Sequence, residues 1–185
     1  MTLPHYFFAV PLPAKIRSEI NQWTKTAQSQ LLFKKWVHPQ DYHITLLFLG
    51  AADEKTLQLF IKEADRVAED FAAFPLTLTE PGVFGKVDSP RILHIGVEKS
   101  ERLQKLQHHL SHHGETLGFR QENRPYRPHI TVARKWDRKE PFSKSELPLI
   151  QSNQWQVDTF SLFQTHLNRT PKYEEIHSIK LNRML

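Results

Sequence analysis

The sequence predicts a mixed α+β fold, because strand-like and helix-like segments alternate along its 185 residues. The strand-like runs are short and rich in β-branched and aromatic residues, and turn residues end them. Between them, apolar residues recur at spacings of three and four, which is typical of amphipathic helices. The length suits one domain, or two small lobes that share a core, and is too short for two large domains.

The first half of the chain contains two strand-like runs, each followed by a helix-like segment. A strand is predicted over residues 5–10, where prolines end the apolar run, and a helix over residues 14–32. The dense apolar run at 42–49 is typical of a buried strand and stops at Gly50. Asp53 then offers an N-cap to a second amphipathic helix.

The second half of the chain repeats this alternation. Two strands are predicted over 74–84 and 92–97, separated by a segment rich in turn residues. Ser100 offers an N-cap to a third helix, which is expected to end near Gly118. The remaining predictions are strands over 129–134, 155–163 and 173–181, and a loop over 141–148.

Composition excludes several classes of function. The absence of cysteine excludes disulfides, thiolate nucleophiles and cysteine-bound metal centres, and it favours a reducing cytoplasmic location. No apolar run approaches the ~20 residues that a membrane helix needs, and the first residues lack the basic stretch of a secretory signal. The net charge of +5 favours a polyanionic partner.

The tripeptide His-Ile-Thr occurs twice, beginning at His43 and at His129, nearly half the chain apart. The bare pattern His-x-Thr is expected about 0.7 times by chance in this composition, so both histidines could be ordinary packing or surface residues. However, the middle residue is the same and each copy begins a strand-like run. In a strand, His43 and Thr45 share one face, as do His129 and Thr131, while the isoleucines point into the core.

Such a pair of motifs suits phosphodiester chemistry. Two imidazoles that face each other across a cleft can act as general base and general acid, since the free pKa of histidine is about 6.5. Two neighbouring hydroxyls can donate hydrogen bonds to the non-bridging oxygens of a phosphate. One histidine would take a proton from water while the other protonates the departing ribose oxygen, and this needs no metal.

Longer sequence blocks surround these motifs, at 6–13, 43–50, 82–84, 91–97 and 127–134. In their order and spacing they resemble the RNA 2',3'-cyclic phosphodiesterases, also called the 2'-5' RNA ligase family, of the 2H phosphoesterase superfamily. The resemblance implies a bilobal fold, with two pseudo-symmetric lobes of antiparallel sheet plus helices around a central cleft. Residues 1–185 would then form a single bilobal domain in which each lobe contributes one His-x-Thr strand.

The resemblance also implies an activity. It implies hydrolysis of a 2',3'-cyclic phosphate at an RNA end to a 2'-phosphomonoester, and a reversible 2'-5' RNA joining activity is associated with the family. His43 and His129 match its catalytic histidines, and Thr45 and Thr131 its phosphate-binding threonines. By analogy we assign His43 as proton donor and His129 as proton acceptor, although nothing in the sequence itself shows which histidine has which role. We expect a monomer that uses no cofactor and no metal.

Two arginines are further candidates for contacts to the substrate. Arg127 lies two residues before His129 and would share its face, although the intervening proline makes the start of the strand irregular. Arg134 matches the arginine that closes the second motif of the family. Because it is out of phase with His129 under strict alternation, a bulge is needed to turn it towards the cleft.

Three other features of the sequence have competing interpretations. His94 stands where the family often has tryptophan, and the sequence does not show whether it faces the cleft. The histidine cluster at 108–113 has the i, i+4 spacing of a metal site, but the apolar face of its helix leaves it on the solvent side. The basic segments 34–35 and 134–139 could steer RNA, and Trp36, Tyr126 or Trp136 could stack on bases.

Two alternatives to this function remain open at the level of sequence. The protein could be a 2H phosphoesterase that acts on another small cyclic or 2'-5' nucleotide. It could also be a non-catalytic module that binds RNA or nucleotides in the same cleft. Measuring whether the protein hydrolyses RNA ends, only small nucleotides or neither would distinguish these alternatives.

Overall fold

The computed structural model describes residues 3–120 and 124–182, and these contain nine strands and three α-helices. Residues 1 and 2, which belong to the N-terminal stretch interpreted above, lie outside them. The strands are β1 His5–Pro11, β2 Phe33–Trp36, β3 His43–Ala51, β4 Phe74–Gly85, β5 Pro90–Val97, β6 His129–Trp136, β7 Gln154–Val157, β8 Thr159–Thr165 and β9 Tyr173–Lys180. The helices are α1 Ala14–Gln30, α2 Glu54–Glu69 and α3 Glu101–Thr116.

The strands pair antiparallel in the order β7-β4-β5-β6-β3-β1-β8-β9, with β2 added beside β6. Between β3 and β6 the two halves meet at one pair in register, Ile44 with Ile130. The sheet is therefore divided into a first lobe, β3-β1-β8-β9, and a second lobe, β7-β4-β5-β6 with β2. Each lobe contributes one His-x-Thr strand, which confirms the α+β class and the bilobal arrangement.

The core lies between the sheet and the helices. Helix α2 packs against β9 and α3 against β3, and the ring of Phe8 on β1 contacts that of Phe60 on α2 at a centroid distance of 4.9 Å. Ile44 and Ile130 are fully buried, as the alternation of the motif strands predicts. No helix in the described ranges is long and apolar enough to cross a membrane.

Both predicted N-caps are confirmed. The Asp53 side chain accepts a hydrogen bond from the Thr56 amide at 2.9 Å, and the Ser100 hydroxyl accepts one from the Leu103 amide at 3.2 Å. Each contact satisfies an amide that has no partner within its helix, and such a cap contributes about 1 kcal/mol.

The observed secondary structure departs from the prediction at two places. The segment 155–163 is not one strand, because Asp158 separates β7, which pairs with β4 in the second lobe, from β8, which pairs with β1 in the first. Alternation of side chains cannot reveal that a strand changes partner. The short strand β2 was not predicted, since its four residues are too few to show a period.

Candidate active site

The two His-Ile-Thr motifs begin the neighbouring strands β3 and β6. In each copy the histidine and the threonine are half-buried while the isoleucine between them is fully buried. The pattern follows from the alternation of side chains, since the face opposite the isoleucines carries the imidazoles and hydroxyls. The predicted arrangement of His43 with Thr45, and of His129 with Thr131, is therefore present.

A β-bulge interrupts β6 directly after its motif. Leu93 and His94 are consecutive on β5, but their partners on β6 are Ala133 and Thr131, so Val132 is an extra residue. Val132 and Ala133 are both fully buried. Because a bulge adds one residue to the alternation, the position after Ala133 returns to the face of the motif.

This bulge brings Arg134 to the site, as the out-of-phase spacing required. The guanidinium lies close enough to both motif histidines that its positive charge lowers their pKa values. Burial raises the pKa of the Tyr173 phenol, which comes from β9 in the first lobe, and the positive charge of Arg134 opposes that rise. Arg134 therefore acts on groups of both lobes from the exposed rim of the cleft.

The equivalent bulge in β3 has a different outcome. Phe8 and Ala9 of β1 pair with Leu47 and Thr45, so one extra residue again follows the motif threonine. Phe48, five residues after His43, occupies the position that Arg134 has in the second lobe, and it is 52% exposed. The two lobes thus share a backbone pattern, but only the second contributes a cation.

Two hydrogen bonds hold the ring of His43. Its Nδ1 lies 2.7 Å from the main-chain oxygen of Asp41, and its Nε2 lies 3.0 Å from the hydroxyl of Thr45. Because a carbonyl oxygen can only accept, Nδ1 carries the proton and Nε2 of the neutral ring accepts from Thr45. Burial lowers the pKa of His43 to about 4, against the opposing effects of the Asp41 carbonyl and carboxylate.

His129 is held in a parallel way. Its Nδ1 donates to the main-chain oxygen of Arg127 at 2.7 Å, so Nε2 of the neutral ring is the atom that can take a proton. Burial lowers the pKa of His129, and the positive charge of Arg134 lowers it further. Arg127 thus contributes its carbonyl oxygen, while its side chain is exposed.

Aromatic rings enclose His43 on the first lobe. The centroids of Phe7 and Tyr173 lie 4.9 and 5.2 Å from that of His43, and Phe163 lies at 6.3 Å. These rings exclude water from the imidazole and account for the low pKa. Neither Phe163 nor Tyr173 was predicted as part of the site, because pairing among β1, β8 and β9 brings them there from the end of the chain.

Asp41 is a second residue that the sequence did not single out. It is only 5% exposed, yet its carboxylate is satisfied, since both oxygens accept from the Lys172 amide at 3.0 Å and one also accepts from the Tyr173 amide at 3.1 Å. Its main-chain oxygen holds His43. Asp41 therefore ties the β8–β9 loop to the first motif.

His94 faces the cleft beside His129. Its ring stacks on Phe84 at a centroid distance of 4.3 Å and lies 5.4 Å from the ring of His129. A Cβ atom at Gly82 would meet the His94 ring at 2.9 Å, so the glycine leaves room for the imidazole. Burial, together with the proximity of His129, lowers the pKa of His94 to about 4.

The predicted stacking residues have other roles in the structure. The phenol of Tyr126 donates to the main-chain oxygen of Thr45 at 3.0 Å and so ties the second lobe to the first motif. Trp136 belongs to the core and donates to the Glu140 carbonyl. Trp36 is half-buried, with its ring against Phe33.

No group of three His, Asp or Glu side chains capable of holding a metal occurs among residues 3–120 and 124–182. The histidines of the 108–113 cluster face mostly outward from α3, where His113 lies 3.7 Å from Glu63. The interpretation of this cluster as a solvated helix face fits these positions better than a metal site does.

The fold and the paired motifs define a class of protein, the bilobal α+β proteins with one His-x-Thr strand in each lobe. Comparison with known proteins narrows this class. The chain belongs to the 2'-5' RNA ligase superfamily, whose sequence model matches residues 11–169. An RNA 2',3'-cyclic phosphodiesterase of Bacillus subtilis (strain 168) is 40% identical over 185 residues, which cover 97% of each chain.

Solved structures agree with this membership. The crystal structure of the protein TT0787 of Thermus thermophilus has a TM-score of 0.82 to this chain, at 27% identity, and the match covers 98% of this chain and 100% of that one. Escherichia coli LigT complexed with 3'-AMP has a TM-score of 0.81 at 25% identity, covering 97% and 99%. The similarity therefore spans both lobes.

Proposed function

We propose that this protein is an RNA 2',3'-cyclic phosphodiesterase that opens the cyclic phosphate at an RNA end to a 2'-phosphomonoester. The observation that carries the proposal is the matched pair of imidazoles, each with Nδ1 bonded to a carbonyl oxygen, so that Nε2 is the atom that can exchange a proton. The activity for which the Bacillus subtilis relative is named supports the choice of substrate.

In the proposed reaction His129 is the general base. Its neutral Nε2 takes a proton from water as the water oxygen attacks phosphorus, and the bond from phosphorus to the ribose O3' breaks. Arg134 beside it favours the neutral ring, because a nearby cation disfavours a second positive charge. The phosphate stays on O2', so the product is the 2'-phosphomonoester.

His43 is the proposed general acid. In its charged form Nδ1 keeps its bond to the Asp41 carbonyl while Nε2 gives its proton to the departing O3'. The Asp41 carboxylate favours the imidazolium, and a bound phosphate anion would add a second negative charge beside it. No carboxylate of the described residues is found to act on His129 in this way, and this difference between the lobes supports the assignment of donor and acceptor.

The threonines and Arg134 are proposed to bind the phosphate. Thr45 and Thr131 lie on the same faces as their histidines, and Arg134 offers a fixed positive charge at the rim. In the charged form of His43, Nε2 no longer accepts from Thr45, so both hydroxyls can donate to the phosphate. Such groups stabilise the negative charge that grows on the non-bridging oxygens in the transition state. Arg127, with its exposed side chain, is proposed as a contact to RNA beyond the reacting phosphate.

We further propose that residues 1–185 act as one bilobal domain, as a monomer in the cytoplasm and without a metal. One chain supplies both histidines, and both lobes add strands to a continuous sheet. The chain contains no cysteine, which suits a reducing compartment. Light scattering of the purified protein would test the monomer, and assays in EDTA would test metal independence.

The decisive experiment is product analysis in EDTA, with an RNA that ends in a 2',3'-cyclic phosphate and with nucleoside 2',3'-cyclic phosphates. Release of a 2'-phosphate from RNA supports the proposal, whereas a 3'-phosphate would redirect the mechanism. Turnover of mononucleotides alone would favour a small-nucleotide phosphoesterase. Binding without turnover of any substrate would favour a non-catalytic module. Incubation of the cyclic-phosphate RNA with a 5'-hydroxyl RNA would test 2'-5' joining.

A further inference from the structure

A cavity of about 340 Å³ opens beside His43, on the side of the first lobe. Of the residues that line it, the proposed chemistry uses only His43 and Asp41. Its polar lining includes Arg17 from α1, Gln40 from the turn before β3, and Tyr173 with Glu175 from β9. A cavity of this size falls in the range of small-molecule sites.

Two charged side chains in this cavity have no partner among residues 3–120 and 124–182. Arg17 is half-buried and Glu175 is exposed. Neither side chain forms an ion pair or a hydrogen bond with any other described residue, and they do not bond each other although they line the same space. The Asp41 carboxylate, by contrast, is already satisfied by two backbone amides. Arg17 and Glu175 are therefore the groups left for a ligand.

The lining indicates the chemistry of that ligand. A carboxylate only accepts hydrogen bonds and a guanidinium only donates them, so the ligand must present donors to Glu175 and acceptors to Arg17. Phe163 and Tyr173 add aromatic surface, on which a flat ring can stack. A phosphate could accept from Arg17, but Glu175 would repel it. A nucleobase offers donors to Glu175, acceptors to Arg17 and a flat ring for the aromatic surface.

We propose that this cavity binds the nucleoside that carries the cyclic phosphate, and that Arg17 and Glu175 read its base. This rests on the proposed function, because His43 can protonate the ribose oxygen only if the ribose lies beside it, and His43 lines the cavity. Guanine is the base that fits best. Its N1–H and N2–H₂ can donate together to one carboxylate, while O6 and N7 accept from an arginine.

The test compares the four nucleoside 2',3'-cyclic phosphates as substrates of the wild type, Glu175→Gln and Arg17→Gln. We expect kcat/KM to be about tenfold higher for the guanosine substrate than for adenosine or uridine, which matches one hydrogen bond to a charged group. Each substitution should reduce this preference to about twofold, through KM rather than kcat. Two matched controls should keep the preference for guanosine. Glu174→Gln changes the residue next to Glu175, and the Glu174 carboxylate bonds His166 instead. Arg66→Gln changes an arginine on the surface of α2.

A binding measurement separates this proposal from the proposed function. Titration calorimetry with guanosine and adenosine 2'-monophosphates reports on the cavity without any turnover. Tighter binding of the guanosine compound, lost in Glu175→Gln and kept in Glu174→Gln, supports the subsite whether or not the protein hydrolyses a cyclic phosphate. Equal affinities for both compounds, or affinities that neither substitution changes, would overturn the subsite and leave the cyclic phosphodiesterase proposal standing.

Discussion

The Nδ1 atom of His43 lies 2.7 Å from the main-chain oxygen of Asp41, whose carboxylate is in turn held by backbone amides of the β8–β9 loop. Asp41 therefore acts on the imidazole twice, by orienting it and by placing a negative charge near it. The orientation leaves Nε2 directed to the hydroxyl of Thr45.

Asp41→Asn should lower kcat about tenfold and move the alkaline limb of the pH profile to lower pH. Without the carboxylate the pKa of His43 falls further, so less of the general acid is protonated at a given pH. The loss of hydrogen bonds to a charged group should also destabilise the fold by about 2 kcal/mol. The pH dependence of kcat separates the two effects, because destabilisation alone lowers the amount of active protein without moving the limb. Asp137→Asn, at an exposed ion pair with Lys34, is the control.

His43→Ala and His129→Ala should each lower kcat by ~10² or more while the fold persists. His108→Ala, in the cluster on α3, should leave kcat unchanged. The wild type should show a bell-shaped pH profile whose limbs belong to the coupled pair of histidines. Steady-state kinetics on one cyclic nucleotide, with circular dichroism for the fold, test this. Full activity in either variant would contradict the paired mechanism.

Gly82→Ala should lower kcat/KM several-fold by displacing His94, since the added Cβ would lie 2.9 Å from its ring. Phe84 and His129 enclose that ring, so the displacement should be passed to the imidazole of His129, the proposed base. In a His94→Ala background the same substitution should have little further effect, because its collision partner is gone. A double-mutant cycle on kcat/KM measures this coupling, and strictly additive effects would exclude it.

Acidification should destabilise the protein between about pH 6.5 and pH 4. His43 and His94 have folded pKa values of about 4, and that of His129 is also lowered, whereas unfolded histidines titrate near 6.5. The unfolded state therefore binds more protons in this range, and stability falls as the pH falls. Calorimetric Tm values at pH 7, 6, 5 and 4.5 measure the slope, and His94→Phe should reduce it. An unchanged Tm across this range would contradict the lowered pKa values.

The features that depend on the local pattern of side chains could be predicted from the sequence. Alternation assigned the faces of both motifs, and it showed that Arg134 required a bulge, which the pairing of β5 with β6 confirms. Tyr173 could not be placed in this way, because its contact with His43 depends on the register among β1, β8 and β9. The side of the sheet faced by His94 likewise became clear only from its partners in β4 and β6.

Arg134→Gln should lower kcat/KM by about 10²-fold, because the proposed phosphate site loses its fixed positive charge. Its loss should also raise the pKa of His129, so the acidic limb of the pH profile moves to higher pH. Tyr173→Phe leaves the charge of Arg134 in place, so it should lower activity less and keep that limb at the same pH. Arg138→Gln serves as the control, because the native Arg138 donates to the Gln30 carbonyl, away from the two motifs. Equal pH profiles for the wild type and Arg134→Gln would show that this guanidinium does not act on the base.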